Sequence, residues 1–194
     1  MFMKFVAIVF LLTVSHISFA QKIHMDVLMG DEKIGYIDAE KKTKGSNVQY
    51  EMTSNVEATM IITVKVNTTT NTWWYDGTLT VSHATRTSNV PGQSLNTSVN
   101  LKGDVYQVKR NSKETTQSVP VKFCVTNMYF QEPVKEETVF SEMQGSYLNL
   151  IHQPNHKYDV IQPNGKKESY SYVDGKLQKI ESVIAGKNVV FLVK

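Results

Sequence analysis

Between Val48 and Val66 the chain alternates: Val48, Tyr50, Met52, Val56, Ala58, Met60, Ile62, Val64 and Val66 fall on even positions, where only Ser54 is polar. Odd positions carry Gln49, Glu51, Thr53, Asn55, Glu57, Thr59, Thr63, Lys65 and Asn67, with Ile61 the apolar exception. Side chains of an extended chain point alternately to opposite faces, so the stretch predicts sheet with one dry side and one wet side. It contains no Gly or Pro. Two arrangements fit: two strands meeting at a bend near Ser54-Asn55, or one long curved strand.

The same period recurs in shorter pieces. Ile23, Met25, Val27 and Met29 share a face, and "GDEK" turns the chain into Ile34 and Tyr36. Leu79, Val81 and His83 follow "YDG"; Leu95, Val99 and Leu101 precede "KGD", and Tyr106 and Val108 come after it. Leu148 with Leu150, Tyr158 with Val160, Tyr170 with Tyr172, Ile180 with Ile184, and Val189, Phe191 and Val193 complete the series. Asn164-Gly165 and Asp174-Gly175 are hairpin signals, because these pairs adopt the positive φ that tight turns need. One segment departs. In "SVPVKFCVTNMYFQEP", Val121, Cys124, Val125 and Met128 fall at helical spacing, with Ser118 placed to cap a helix, Pro120 in its first turn and Pro133 to stop it.

The expected fold is all-β and mainly antiparallel: an up-and-down meander curled into a barrel or half-barrel, with one short helix near 120–130. Ten or so strands in one open sheet would leave two long edges, and curling or covering removes them. A two-sheet sandwich is the main rival architecture.

The N-terminus changes the picture of where the fold begins. "MFMKFVAIVFLLTVSHISFA" has Lys4, an apolar run from Phe5 to Val14, and small residues at Ser18 and Ala20. That is the layout of a secretory signal peptide over residues 1–20, cut between Ala20 and Gln21, leaving a single β-barrel-like domain over 21–194. The apolar run is shorter than the ~20 residues of a membrane span, and no second long apolar stretch follows it, so the mature chain is expected to carry no span. Export to the periplasm or the exterior is expected, and so is a monomer. The single Cys124 allows no internal disulfide, and its apolar neighbours mark it as a buried thiol rather than a nucleophile. A formal net charge of +3 with no basic cluster argues against nucleic acid.

Candidate chemistry is sparse. His152 and His156 in "HQPNH" are separated by a Pro-Asn turn, which removes the helical geometry of a metal pair; they read as a surface loop. Glu132, Glu136, Glu137 and Glu142 read as a solvated, charged connection. No nucleophile elbow, phosphate loop or dinucleotide fingerprint is present, so no catalytic residue, metal ligand or cofactor is assigned. The distinctive group is "NTWWYDG", where Trp73 and Trp74 must face opposite sides of a strand. An exposed tryptophan near a turn suits an apolar or sugar ligand. Trp73, Trp74, Tyr50, Met52 and Met60 are therefore the candidate ligand-binding residues.

The pieces "MYFQEP", "VFSEMQG", "PNGK" and "YSYVDGKL", with "IGYIDAEKKTKG" near the mature start, together resemble an uncharacterised family of exported bacterial proteins known only as a domain of unknown function. The resemblance spans almost the whole mature chain. It implies export in a bacterium with an outer membrane and a barrel-like antiparallel sheet, and it brings no catalytic residues. Two functions remain open: a carrier holding a lipid or other apolar molecule inside the curled sheet, or a structural or protein-interaction module of the envelope.

Overall fold

The computed structural model describes residues 19–59, 62–184 and 186–194. Met60 and most of the expected signal peptide lie outside the described residues. The sheet contains β1 (Phe19–Met29), β2 (Glu32–Lys44), β3 (Asn47–Thr59), β4 (Thr63–Tyr75), β5 (Thr78–Ser88), β6 (Leu95–Lys102) and β7 (Val105–Arg110). It continues through β8 (Lys113–Gln117), β9 (Thr138–Ser141), β10 (Ser146–Gln153), β11 (Lys157–Ile161), β12 (Lys167–Val173), β13 (Lys176–Ile184) and β14 (Lys187–Val193). All of these join one antiparallel sheet in the order β8-β7-β6-β5-β4-β3-β2-β1-β14-β13-β12-β11-β10-β9. The architecture is therefore a curled single sheet, not a sandwich. Every neighbour but one is a sequence neighbour; the exception is the central pair β1–β14, with Met25 opposite Val193 and Met29 opposite Val189.

The alternating stretch from Val48 folds as two paired strands, β3 and β4, running from Asn47 opposite Tyr75 to Thr59 opposite Thr63. The reversal thus falls between Thr59 and Thr63 and not at Ser54-Asn55, which lie mid-strand opposite Thr68 and Asn67. Both expected hairpin turns form. Asp174 and Gly175 take φ of 50° and 73°, and Gly165 takes 78° in a link closed by Gln162 N–H to Lys166 O at 2.8 Å.

Two irregularities redirect side chains that simple alternation had grouped. Opposite Val27/Leu28 the register slips by a residue, so Ile34 and Ile37 are buried while Tyr36 is 40% exposed. A bulge adds one extra residue to one strand and re-aims the side chains beyond it. The adjoining Gly35 has no alternative: a Cβ there would stand 2.1 Å from the Asn55 carbonyl oxygen. A second slip at Trp73/Trp74 leaves Leu79 buried and turns Val81 and His83 outward, with Ser82 and Ala84 inside in their place.

The sheet edges β8 and β9 are joined by residues 118–137, and this connection crosses between the walls. Val121 carbonyl accepts from Leu79 N–H at the start of β5 (3.1 Å), and Phe123 carbonyl accepts from Phe140 N–H on β9 (3.0 Å). Tyr106 hydroxyl donates to the Leu79 carbonyl at 2.8 Å and accepts from Val121 N–H at 3.2 Å. This pairing holds Val121–Phe123 extended, so the helical spacing starting at Val121 yields only α1, Val125–Met128, with Cys124 as its N-cap. Ser118 and Pro120 lie before it, outside any helix, and Pro133 lies beyond its end.

Two apolar clusters fill the interior. The larger joins Met25, Val27 and Ile37 to Phe123 and Met128 from the crossing segment and to the aromatic wall of Tyr158, Tyr170 and Tyr172. The smaller holds Tyr50, Trp74, Leu79, Val99, Tyr106, Val121, Cys124 and Phe140. Burial of this apolar area, at roughly 25 cal/mol per Å² removed from water, is the main stabilising term available to a chain with one cysteine.

Candidate functional site

Of the five residues singled out by sequence, the structure brings two together inside. Trp74 is 4% exposed and meets Tyr50 edge-on at 6.1 Å between ring centroids, while Tyr50 also tilts against Phe130 at 5.6 Å. The Trp74 indole N–H donates to Thr72 Oγ1 at 2.9 Å, so its polar atom is satisfied within the protein. Met52 is half-buried against the larger cluster. Met60 lies outside the described residues. Trp73 faces the opposite side of β4, 37% exposed, with its ring edge-on to His83 at 5.8 Å.

Around Trp73 the outer face is laid out by register. Directly opposite residues of an antiparallel pair share a face. Gln49, Trp73, Val81, Asn100 and Gln107 thus succeed one another across β3 to β7. The next row is Glu51, Asn71, His83, Ser98 and Lys109. Hydroxyl and amide groups also bond along this face: Thr69 to Thr85 Oγ1 at 2.5 Å, and Asn55 Nδ2 to Asn67 Oδ1 at 2.5 Å. Beside Trp73 a solvent-open cleft of about 190 Å³ is lined by Asn47, Val48, Gln49, Trp74, Tyr75 and Thr80, with Lys42 to Lys44 at its rim. Tyr75 is 60% exposed. The sequence reading missed Tyr75, Gln49 and Asn71 as companions of Trp73. The i,i+2 spacing from Trp73 was the available signal for Tyr75 and Asn71; Gln49 needed the strand register.

A second cleft, about 410 Å³, opens where the crossing segment enters, between Val119, Pro120, Phe123, Glu136, Thr138 and Tyr147.

The glutamates read as a solvated connection divide. Glu142 is buried, and its Oε1 accepts from Thr126 N–H at 3.0 Å and Thr126 Oγ1 at 2.5 Å, fixing the first turn of α1 to the β9 end. Burial pushes its carboxyl above the ordinary range, against those hydrogen bonds. Glu132 accepts from Tyr158 hydroxyl at 2.6 Å and contacts His156 Nδ1 at 2.8 Å. Burial there opposes the charge, but the two partners outweigh it and the carboxyl sits below its usual value. His152 Nε2 lies 2.6 Å from the Glu136 carbonyl oxygen. The "HQPNH" hairpin is exposed as expected, and it also clasps the crossing segment.

On the outer side of β1, Asp26 meets Lys33 and Lys194, whose hydrogen bonds lower its carboxyl to about 2. Cys124 is buried and burial raises its thiol well above the free value, the opposite of what a nucleophile needs. Among the described residues no three His, Cys, Asp or Glu side chains are placed to hold a metal ion. No helix among them is long and apolar enough to cross a membrane.

A curled antiparallel sheet with a crossing segment between its edges defines a barrel-like protein. The chain belongs to the family described as "Domain of unknown function (DUF6134)", whose model matches residues 25–194. Among solved structures it is similar to a β-barrel-like protein of another domain of unknown function, DUF1849, from Brucella abortus. That likeness has a TM-score of 0.53 at 10% identity, covering 89% of this chain and 95% of the other. At that identity it shows a shared fold. No curated protein matches the chain.

Proposed function

We propose that this protein is an exported, non-catalytic binding module of the bacterial cell envelope that recognises its partner on the outside of the sheet. The reading rests on one observation: the interior is occupied by the protein itself. Tyr106, Tyr170, Phe140, Met25, Leu79 and Met128 are all essentially without exposure, and the crossing segment lies between the walls. Tyr172 hydroxyl donates to the Met128 carbonyl at 2.7 Å, so the segment is bonded to the aromatic wall as well as packed on it. A lipid carrier with this sheet would have to displace Phe123, Met128 and Tyr129 from the larger cluster before a chain could enter. The clefts beside Trp73 and at the entry of the crossing segment open outward instead.

Export is supported by the layout of residues 1–20, and the family match begins at Met25, just after the expected cut. N-terminal sequencing of protein from the periplasmic fraction is expected to begin at Gln21. Native mass spectrometry of the same material tests the outward reading: the expected mass is that of the polypeptide alone. A stoichiometric apolar molecule, released when Met128 is replaced by a larger side chain, would restore the carrier.

A further inference from the structure

Resting on that outward reading, we infer that the face of β3 to β7 centred on Trp73 seats an uncharged polysaccharide chain. Trp73 and Tyr75 are two positions apart on β4 and therefore share a face, with Cα atoms about 7 Å apart at ordinary strand rise. Both rings are exposed enough to be stacked upon, and aromatic faces next to water suit the C–H face of a sugar ring while leaving its hydroxyls solvated. Trp73 is held by its edge contact with His83, so the platform is set before a ligand arrives.

The groups around the platform are those that read hydroxyls. Gln49 and Asn71 flank Trp73, and Asn100 and Gln107 continue its row. A carboxamide offers donors and an acceptor side by side, the pairing that two adjacent sugar hydroxyls complete. From β3 to β7 the row through Trp73 carries no charge; on β2 it meets Lys42, opposite Gln49, which is paired with Glu51. In the next row the charges are already spent within the sheet: Glu51 accepts from Gln49 at 2.8 Å and pairs with Lys42 at 3.0 Å, and Lys109 pairs with Glu114 at 3.3 Å. An anionic chain would thus meet no free cation on these two rows from β3 to β7; the single lysine beside Tyr75 in register is Lys44, opposite Asn47 at the β2 end of the seat. A protein partner would call for a broader apolar centre than Trp73, Tyr75 and Val81 supply. The 190 Å³ cleft beside Trp73 and Tyr75 provides the concave end of the seat.

Intrinsic fluorescence separates the two indoles, because Trp74 is buried and Trp73 is not. Cellohexaose, chitohexaose and maltohexaose would be titrated into the full mature protein, with calorimetry alongside. At least one is expected to shift the emission saturably. Trp73→Ala should abolish the shift and weaken binding by about tenfold or more, while Trp73→Tyr keeps most of it. Circular dichroism and unfolding midpoints of both variants should match the parent, since Trp73 is outside the core. Absence of binding by all three sugars up to their solubility limits, or equal binding by Trp73→Ala, overturns the inference. Should the sugars fail while Trp73 is needed to capture an envelope protein, the outward reading stands and the sugar is wrong. Should they fail while an apolar molecule is found inside, the outward reading itself falls.

Discussion

On β10 to β13 the inward positions are Leu148, Leu150, Tyr158, Val160, Tyr170, Tyr172, Leu177 and Ile180; on β4 to β6 they include Thr70, Thr72, Ser82, Ala84 and Thr97. Both sets are almost fully buried, yet the first wall is aromatic and aliphatic throughout, whereas the second sets these small, mostly hydroxylated side chains beside Trp74, Leu79 and Val99. The difference comes from the neighbours each wall meets. The crossing segment and the β9–β10 turn come up against β5 to β7, where bulk would collide: a Cβ on Gly145 would stand 2.4 Å from Val108 Cγ1 and 3.3 Å from Thr97 Cγ2. Thr97 Oγ1 donates to the Met143 carbonyl at 2.8 Å, so this wall grips backbone through hydrogen bonds. The aromatic wall instead supplies area, and its tyrosines reach across with hydroxyls, as Tyr172 does to Met128. Two-residue alternation describes where side chains point; the space left by the partner decides their size and polarity.

That contrast can be broken most forcefully at Tyr172. Tyr172→Ala should lower the unfolding free energy by about 3–5 kcal/mol in denaturant titrations, through lost burial and a cavity. A loss below about 1 kcal/mol would mean that the aromatic wall is not where stability resides. Glu142→Ala comes next, at about 1–3 kcal/mol, because Thr126 loses the acceptor for its N–H and hydroxyl in a buried place. Glu142→Gln keeps that acceptor and should cost much less.

The Glu142 pair of variants also carries a pH signature. Burial raises this carboxyl, so the fold disfavours its ionised form relative to the unfolded chain. The wild type should therefore lose stability as pH rises from about 4.3, the ordinary glutamate value, through the raised folded value. The Gln variant lacks that decline, and its stability relative to wild type should improve with pH. A pH-independent difference would show that the charge is not penalised.

On the hydroxyl wall the effects should be smaller. Thr72→Val removes the acceptor of the Trp74 indole and should cost about 1 kcal/mol. Ser82 Oγ is buried with no hydrogen-bond partner among the described residues, so Ser82→Ala should be neutral within about 0.5 kcal/mol or slightly stabilising. A loss above about 1 kcal/mol there would expose a hidden partner for that hydroxyl and a more polar interior.

Much of the sheet was legible because large residues repeat with period two beside Asn-Gly and Asp-Gly turns, as at Tyr170, Tyr172 and Asp174-Gly175. The failures lie where a local irregularity or a distant contact intervenes. Nothing around Ile34 or Leu79 announces a bulge, since the extra residue is needed only when a partner strand fixes the register. The helix was overextended because Val121 and Phe123 satisfy their carbonyls on β5 and β9, which no local signal reveals. Glu142 was misplaced for the same reason: its partner Thr126 is known only through folding. At the candidate site, alternation alone separated Trp73 from Trp74, but the amide row from Gln49 to Gln107 is a property of five strands in register.

The first and last strands lie side by side in the middle of the sheet, and the connection between the two outermost strands is an internal one. Tying the ends together with a short linker and opening the chain within 118–137 would therefore produce a permutant in which every strand succeeds its neighbour in order. Such a molecule would no longer wait for its tail to be made before the central seam could zip, and its folding should be faster than that of the natural arrangement.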